Sequence, residues 1–186
     1  MDPGLRSSGP GVFKAGLKVG NHYRVNDLTP VAPENPVRTP TSPASFDLLK
    51  AESFVRGEST LAVVCDAPFD DVAARLQGSL AANGLAVLHV HELDRMLGAK
   101  GFELGMRCRV YEVCDAHLAA QLLALDPGLA HVLPCRIAMH DHGGVVTVTA
   151  PRPVVLMAEF SHAASVARLA RSFEAGLQRV LKGMQS

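Results

Sequence analysis

Twice along the chain a valine-rich run ends on Cys-Asp-Ala and passes straight into a helix-forming stretch, as VVCDAPFDDVAARL from Val63 and as EVCDAHLAAQLL from Glu112. A β-branched run followed at once by an Asp-opened helical segment reads as strand then helix. The spacing repeats as well. Cys65 to Val90 and Cys114 to Met139 are each 25 positions, and both intervals end inside the next apolar run. The chain therefore reads as two β-α-β halves in one sheet, a pseudo-duplicated α+β domain with right-handed crossovers wherever strands run parallel. In that layout the first and third strands are neighbours.

The remaining elements follow from local signals. Thr60 to Cys65 is a buried strand, and Asp66 is placed as the cap of a helix running to Ala82, where Asn83-Gly84 supplies a left-handed stop. Leu85 to His91 is the second strand, and a short helical turn follows near Glu92 to Leu97. Met106 to Cys114 is the third strand, and Asp115 caps a second helix that stops at Asp126-Pro127-Gly128. Pro134 to His140 and Val145 to Ala150 form an antiparallel hairpin around Asp141-His142-Gly143-Gly144. Pro151 and Pro153 place Val154 to Phe160 on an edge or outside the sheet. Ser161 is placed as the cap of a long helix whose Val166, Leu169, Phe173, Leu177, Val180, Leu181 and Met184 form one apolar stripe, suited to covering the sheet.

Seven of the twelve prolines fall in the first fifty residues, among Gly, Ser and Thr and with little apolar periodicity, so 1–52 reads as a flexible leader and 53–186 as a single domain. Lys plus Arg equal Asp plus Glu at 18 each. With no net field, neither nucleic acid nor an anionic membrane is an expected partner. No window approaches the roughly 18 to 20 apolar residues of a membrane span, and the N-terminus lacks a signal-peptide core, so a cytoplasmic location is expected. Four cysteines in such a compartment stay reduced thiols.

Residues from about Ser59 to Gly183 resemble the domain-of-unknown-function family numbered three hundred and two. The residues that carry the likeness are Gly84-Leu85 at a strand start, then Leu93, Leu97, Lys100 and Gly101, then Cys114-Asp115-Ala116 opening a helix, and Leu133-Pro134-Cys135 opening the next strand. The chain departs from the family pattern at Asp115-Ala116, where Asn-Pro is usual. The resemblance implies a curved, mostly antiparallel sheet of four to six strands, with two helices and a long C-terminal helix packed on it, related to the TATA-binding-protein-like class. It implies no nucleic-acid function and leaves the activity open.

Three cysteines make the most suggestive chemical group. Cys65 and Cys114 each close a strand beside a helix start, where amides and the helix dipole lower a thiol pKa, and Cys135 opens a strand. Adjacent, parallel first and third strands would bring Cys65 and Cys114 within about 5 Å, fit for a redox pair or a soft metal. The bland counterpart is three small buried apolar residues. His89 and His91 share one strand face, and His140 and His142 approach the hairpin turn, so these four are weak candidate metal ligands beside the plainer reading of a half-exposed face. Arg107 and Arg109 share a face that would suit an anion, or else pair with Glu103 or Glu112. Asp66, Asp70, Asp71 and Asp115 sit in first helical turns, where capping and the dipole already explain carboxylates. No catalytic residue and no cofactor is expected. The leading reading is a non-enzymatic module that binds a small ligand or itself, as a homodimer, with its site between the sheet and the C-terminal helix. The alternative is a thiol redox or soft-metal protein using Cys65, Cys114 and Cys135.

Overall fold

The computed structural model describes residues 54–185; the leader placed at 1–52 lies outside the described residues. Six strands are present: β1 (Phe54–Arg56), β2 (Thr60–Cys65), β3 (Ala86–Glu92), β4 (Cys108–Cys114), β5 (Cys135–His142) and β6 (Val145–Pro151). They form one sheet in the order β1-β2-β6-β5-β4-β3, and every ladder is antiparallel. The helices are α1 (Phe69–Ala82), α2 (Leu93–Gly98), α3 (Ala116–Leu125), α4 (Pro153–Ala158) and α5 (Ala164–Lys182), with a 3-10 turn at Pro127–Val132. This is the α+β class expected.

Local chemistry accounts for most element ends. The Asp115 carboxylate accepts from the backbone N–H groups of His117 and Leu118, both at 3.0 Å, so α3 starts where a side-chain cap permits. Gly143 and Gly144 take φ values of 61° and 85°, the left-handed pair that a two-residue hairpin between β5 and β6 requires. Two expected caps are corrected. α1 begins three residues after Asp66, at the far side of Pro68, because proline disfavours helix in the residue before it and suits a helix start. α5 has Ala163 at its N-cap, and Ser161 only accepts a 3.4 Å bond from the Ala163 N–H. The segment after Pro151 lies outside the sheet, as the helix α4.

One face of the sheet is the core. Leu61, Val63, Tyr111, Val113, Ile137, Met139 and Val148 are buried there under Val72, Leu76 and Leu80 of α1 and Leu177, Val180 and Leu181 of α5. The period of two in the strands and of 3.6 in α5 selects these residues. A smaller cluster of Leu122, Leu129, Met157, Val166 and Ala170 joins α3, α4 and the first half of α5. The two long helices are also stitched by the Ser79 hydroxyl, which donates to the Val180 carbonyl at 3.0 Å.

The topology departs from the two-halves reading. β2 and β4 are separated by β6 and β5, so the first and third long strands are neither adjacent nor parallel. The β2-α1-β3 unit carries the chain from the second position to the far edge of the sheet, whereas β4-α3-β5 joins antiparallel neighbours. The echo around Cys-Asp-Ala is therefore local. It specifies strand then helix, and the free edge available to the next strand decides where that strand docks.

Glu174 is 2% exposed in the middle of α5. Its carboxylate accepts from Arg56 Nη2 at 3.0 Å, Arg152 Nε at 3.1 Å and the Val154 N–H at 3.3 Å, so one buried charge holds edge strand β1, the end of β6 and the start of α4. Arg152 extends the link by donating to the carbonyls of Gly57 and Glu58 at 3.2 and 2.8 Å. Removing one partner of a buried ion pair costs about 3 to 5 kcal/mol. Glu174→Ala is expected to lose that much in a denaturant titration, and a loss below about 1 kcal/mol would mean that water replaces the carboxylate without consequence.

Candidate functional site

Alternation along Arg107, Arg109, Tyr111 and Val113 turns all four side chains toward α1. The face grades from apolar to charged along the strand: Tyr111 and Val113 are fully buried, whereas the Arg109 side chain keeps 17% of its exposure. Cross-strand register sets Tyr111 opposite Val90 and Arg109 opposite Glu92 of β3. From α1, Asp70 and Gln77 stand seven residues apart, hence on one side of that helix.

These residues form a charge lattice around a cleft. Arg107 donates a bidentate pair to Asp70 at 2.9 and 2.8 Å, and Arg109 Nη2 lies 3.4 Å from the same carboxylate. Arg109 also donates to Glu92 through Nε at 3.2 Å, and Arg95 donates to the other oxygen of Glu92 at 2.8 Å. Both guanidinium groups stand over the Phe69 ring, 4.2 and 5.1 Å from its centroid. The Arg107 fork holds the Asp70 carboxyl below its usual range, and Asp70 holds Arg107 above its own. Between α1 and the strands opens a cleft of about 310 Å³, lined by Gln77, Val90, Glu92, Arg109 and Tyr111. The Tyr111 hydroxyl is buried there and makes no hydrogen bond among the described residues, although Arg109 and Gln77 are near enough to oppose its shift. Burial prevails and pushes the phenol above its ordinary pKa.

The space between the sheet and α5, where a ligand was expected, is filled. Among the described residues a pit of about 20 Å³ opens there, with Val113, Leu118, Leu122, Met157 and Phe173 in its lining, room for a single water.

The expected approach of the cysteines is overturned by the sheet order. Ala62, Thr149, Ala138 and Val110 lie in one cross-sheet row; Cys65 is three residues beyond it and Cys114 four residues beyond it in the opposite direction. That separates the two by roughly 23 Å along the strands and about 14 Å across them. Cys135 pairs with Val113 and is buried with it, while alternation turns neighbouring Cys114 to the other face. Cys114 and Cys135 are not activated either. Burial raises Cys114, with Asp115 adding to it, and pushes Cys135 up to about 11. The Cys65 thiol lies 3.8 Å from the Met184 carbonyl.

The histidines occupy the face turned away from α1 and α5. His89 and His91 stack edge to face with ring centroids 4.4 Å apart, and His91 Nε2 lies 3.0 Å from Glu112 Oε1. His140 pairs with Cys108 on the same face, two strands over and about 12 Å from His91 by strand spacing, and His142 is exposed near the turn. Burial lowers the His140 pKa, helped by His142. No group of three or more metal-ligating side chains forms among the described residues. The arginines do converge, on Asp70 and Glu92 rather than on Glu103 or Glu112.

With a pKa near 11, Cys135 would hold only about one thiolate per thousand at pH 8. Cys65 and Cys135 are therefore expected to alkylate only after unfolding, in rates measured on single Cys→Ser variants. Rapid native alkylation of Cys135 near neutral pH would contradict its burial.

Comparison with known proteins places the fold. A solved structure, the crystal structure of uncharacterized conserved protein DUF302 from Bacillus stearothermophilus, superposes with a TM-score of 0.65 at 22% identity, covering 68% of this chain and 98% of that one. No curated protein matches the chain. The model of the family described as domain of unknown function DUF302 matches residues 61–184, which spans the helices from α1 to α5 and the strands from β2 to β6. The chain belongs to the DUF302 family.

Proposed function

We propose that this domain is a small-ligand-binding module and that its site is the cleft between α1 and the β3–β4 edge. The observation that carries the reading is the cleft of about 310 Å³ itself, whose wall sets Arg109, Glu92 and Gln77 beside Val90, with the Tyr111 hydroxyl fully buried behind them. Arg109 and Gln77 lie close to that hydroxyl without a well-formed hydrogen bond, and a molecule that displaces either far enough to reach it recovers part of the roughly 1 to 3 kcal/mol that an unsatisfied buried hydroxyl costs. Gln77 and Glu92 add polar groups at the same opening, and Val90 supplies an apolar wall. A few convergent polar groups on a partly apolar concavity are the usual composition of a ligand site. The thiol alternative has no comparable support, since its three sulfurs point to different ends and faces of the sheet.

Self-association is a second reading, favoured by β3. This edge strand, AVLHVHE, carries no lysine or proline to blunt its open ladder, and its Leu88 is 58% exposed.

The first reading is tested by a fragment screen on the full chain with ligand-observed NMR, repeated on Tyr111→Phe and Arg109→Met. Fragments seated in the cleft should lose about tenfold or more in affinity in both variants, and Tyr111→Phe should melt no lower than the wild type because it removes an unpaired hydroxyl. Hits indifferent to both substitutions, or a Tyr111→Phe loss above about 1 kcal/mol, would show that the hydroxyl serves the fold instead. For the second reading, light scattering should find a dimer that Leu88→Lys converts to monomer. A monomeric wild type removes it.

A further inference from the structure

Two histidines stand on the open edge of the sheet, and their placement deepens the self-association reading of β3, on which this step rests. His89 and His91 are two residues apart on that strand, so both side chains leave by the face turned away from α1 and α5. Their ring centroids are 4.4 Å apart. Zinc takes imidazole nitrogen at about 2.0 to 2.1 Å, so side-chain rotation alone brings two rings this close onto one ion. Glu112 stands opposite His89 on β4 and diagonal to His91, and its Oε1 is 3.0 Å from His91 Nε2. An ionised carboxylate only accepts, so Nε2 carries the proton and Nδ1 of the neutral ring keeps its lone pair. A carboxylate behind the imidazole is the usual way in which a metal-ligating histidine is oriented.

Two imidazoles are half of a tetrahedral set, and no third metal-ligating side chain joins them among the described residues. A second copy supplies the other half. β3 is the last strand of the sheet and pairs only with β4, so its outer ladder is open to an antiparallel partner related by a two-fold axis. With Val90 on that axis, His89 falls opposite His91 of the partner subunit, and His91 opposite His89 of the partner subunit. Directly opposed side chains have Cβ atoms about 4.5 to 5.5 Å apart, so the four rings gather on one face of the joined sheet around a single ion. The charges also match. Each copy brings one Glu112 carboxylate, bonded to a neutral His91, and the pair balances a divalent ion, while Glu92 near the same edge is already held by Arg95 and Arg109 of its own chain. The pairing covers Leu88, which is 58% exposed in the single chain.

We propose that two copies of this chain join through their β3 edges around one divalent ion of the zinc class, held by His89 and His91 of each copy, with Glu112 as the positioning residue behind His91. An all-imidazole set suits zinc, copper and nickel rather than calcium or magnesium, which prefer oxygen.

The test takes the full chain, stripped with EDTA and then titrated with zinc, and follows it by sedimentation velocity and equilibrium dialysis. Zinc should tighten the dimer about tenfold or more and bind at one ion per two chains. His89→Ala and His91→Ala should each remove that gain, and His142→Ala, at the hairpin turn, should keep it. Glu112→Gln should weaken zinc about tenfold at unchanged stoichiometry, the mark of a positioning role. Far-UV circular dichroism checks folding, and His89→Asn or His91→Asn replaces any alanine variant that unfolds. A dimer equally tight in EDTA and in zinc would overturn the metal site and leave self-association through β3 standing. Zinc bound at one ion per chain without tightening the dimer, or a gain indifferent to both histidines, would overturn it in the same way. A chain that stays monomeric with and without zinc removes both.

Discussion

A sheet that buries one face divides every strand into two sets of alternating residues, and the rest of this molecule follows from which set lies under α1 and α5. Residues with Tyr111 and Ile137 build the core, and residues one position away face outward. The cleft lies where the inner set runs out of apolar residues. From Val113 through Tyr111 to Arg109 and Arg107, the same face passes from core to charge, and α1 passes over that transition with Asp70 and Gln77 on one side. Tyr111 stands on the boundary, with an apolar ring suited to the core and a hydroxyl suited to water. A residue of this kind is costly to bury fully unless something polar meets it.

Most of the fold was legible because its signals are local. The Asp115 cap, the Gly143-Gly144 turn and the stripe of α5 each depend on residues within a turn or two of one another, and each stands where the sequence placed it, apart from helix caps shifted by two residues, from Asp66 to Pro68 and from Ser161 to Ala163. Strand order was not legible. Nothing within VVCDAPFDDVAARL or EVCDAHLAAQLL states that β3 must pass β6 and β5 to reach the far edge, because edge choice is settled by the competition of whole strands for partners.

The candidate site shows the same division. Arg107 and Arg109 were visible as a same-face pair, but their carboxylate partners come from α1 and from β3, residues that only the tertiary register brings near. Tyr111 was overlooked, although Arg-x-Arg-x-Tyr-x-Val is a readable sign of a core face turning polar. The cysteines misled for the opposite reason. Cys65 and Cys114 share a local motif and so suggested a shared location, while β2 and β4 run in opposite directions and carry those motifs to opposite ends of the sheet.

The strand order also bears on how the chain finds its fold. β3, β4, β5 and β6 pair in sequence, each with the next, and β1 pairs with β2. Among the described residues the sheet is joined into one only along the β2–β6 ladder, where Leu61 meets Ala150, 89 positions away. Contacts of such long range carry the loop-closure entropy and slow the search, whereas pairings between consecutive strands close shorter loops. The β3 to β6 meander can thus assemble with its own helices before β2 docks against β6, and the helix crossing between β2 and β3 is the tether that keeps the late strand close enough to arrive. In mechanical terms the β2–β6 ladder is a seam. The carboxylate of Glu174, gripping Arg56 on one side of that seam and Arg152 on the other, acts as its latch.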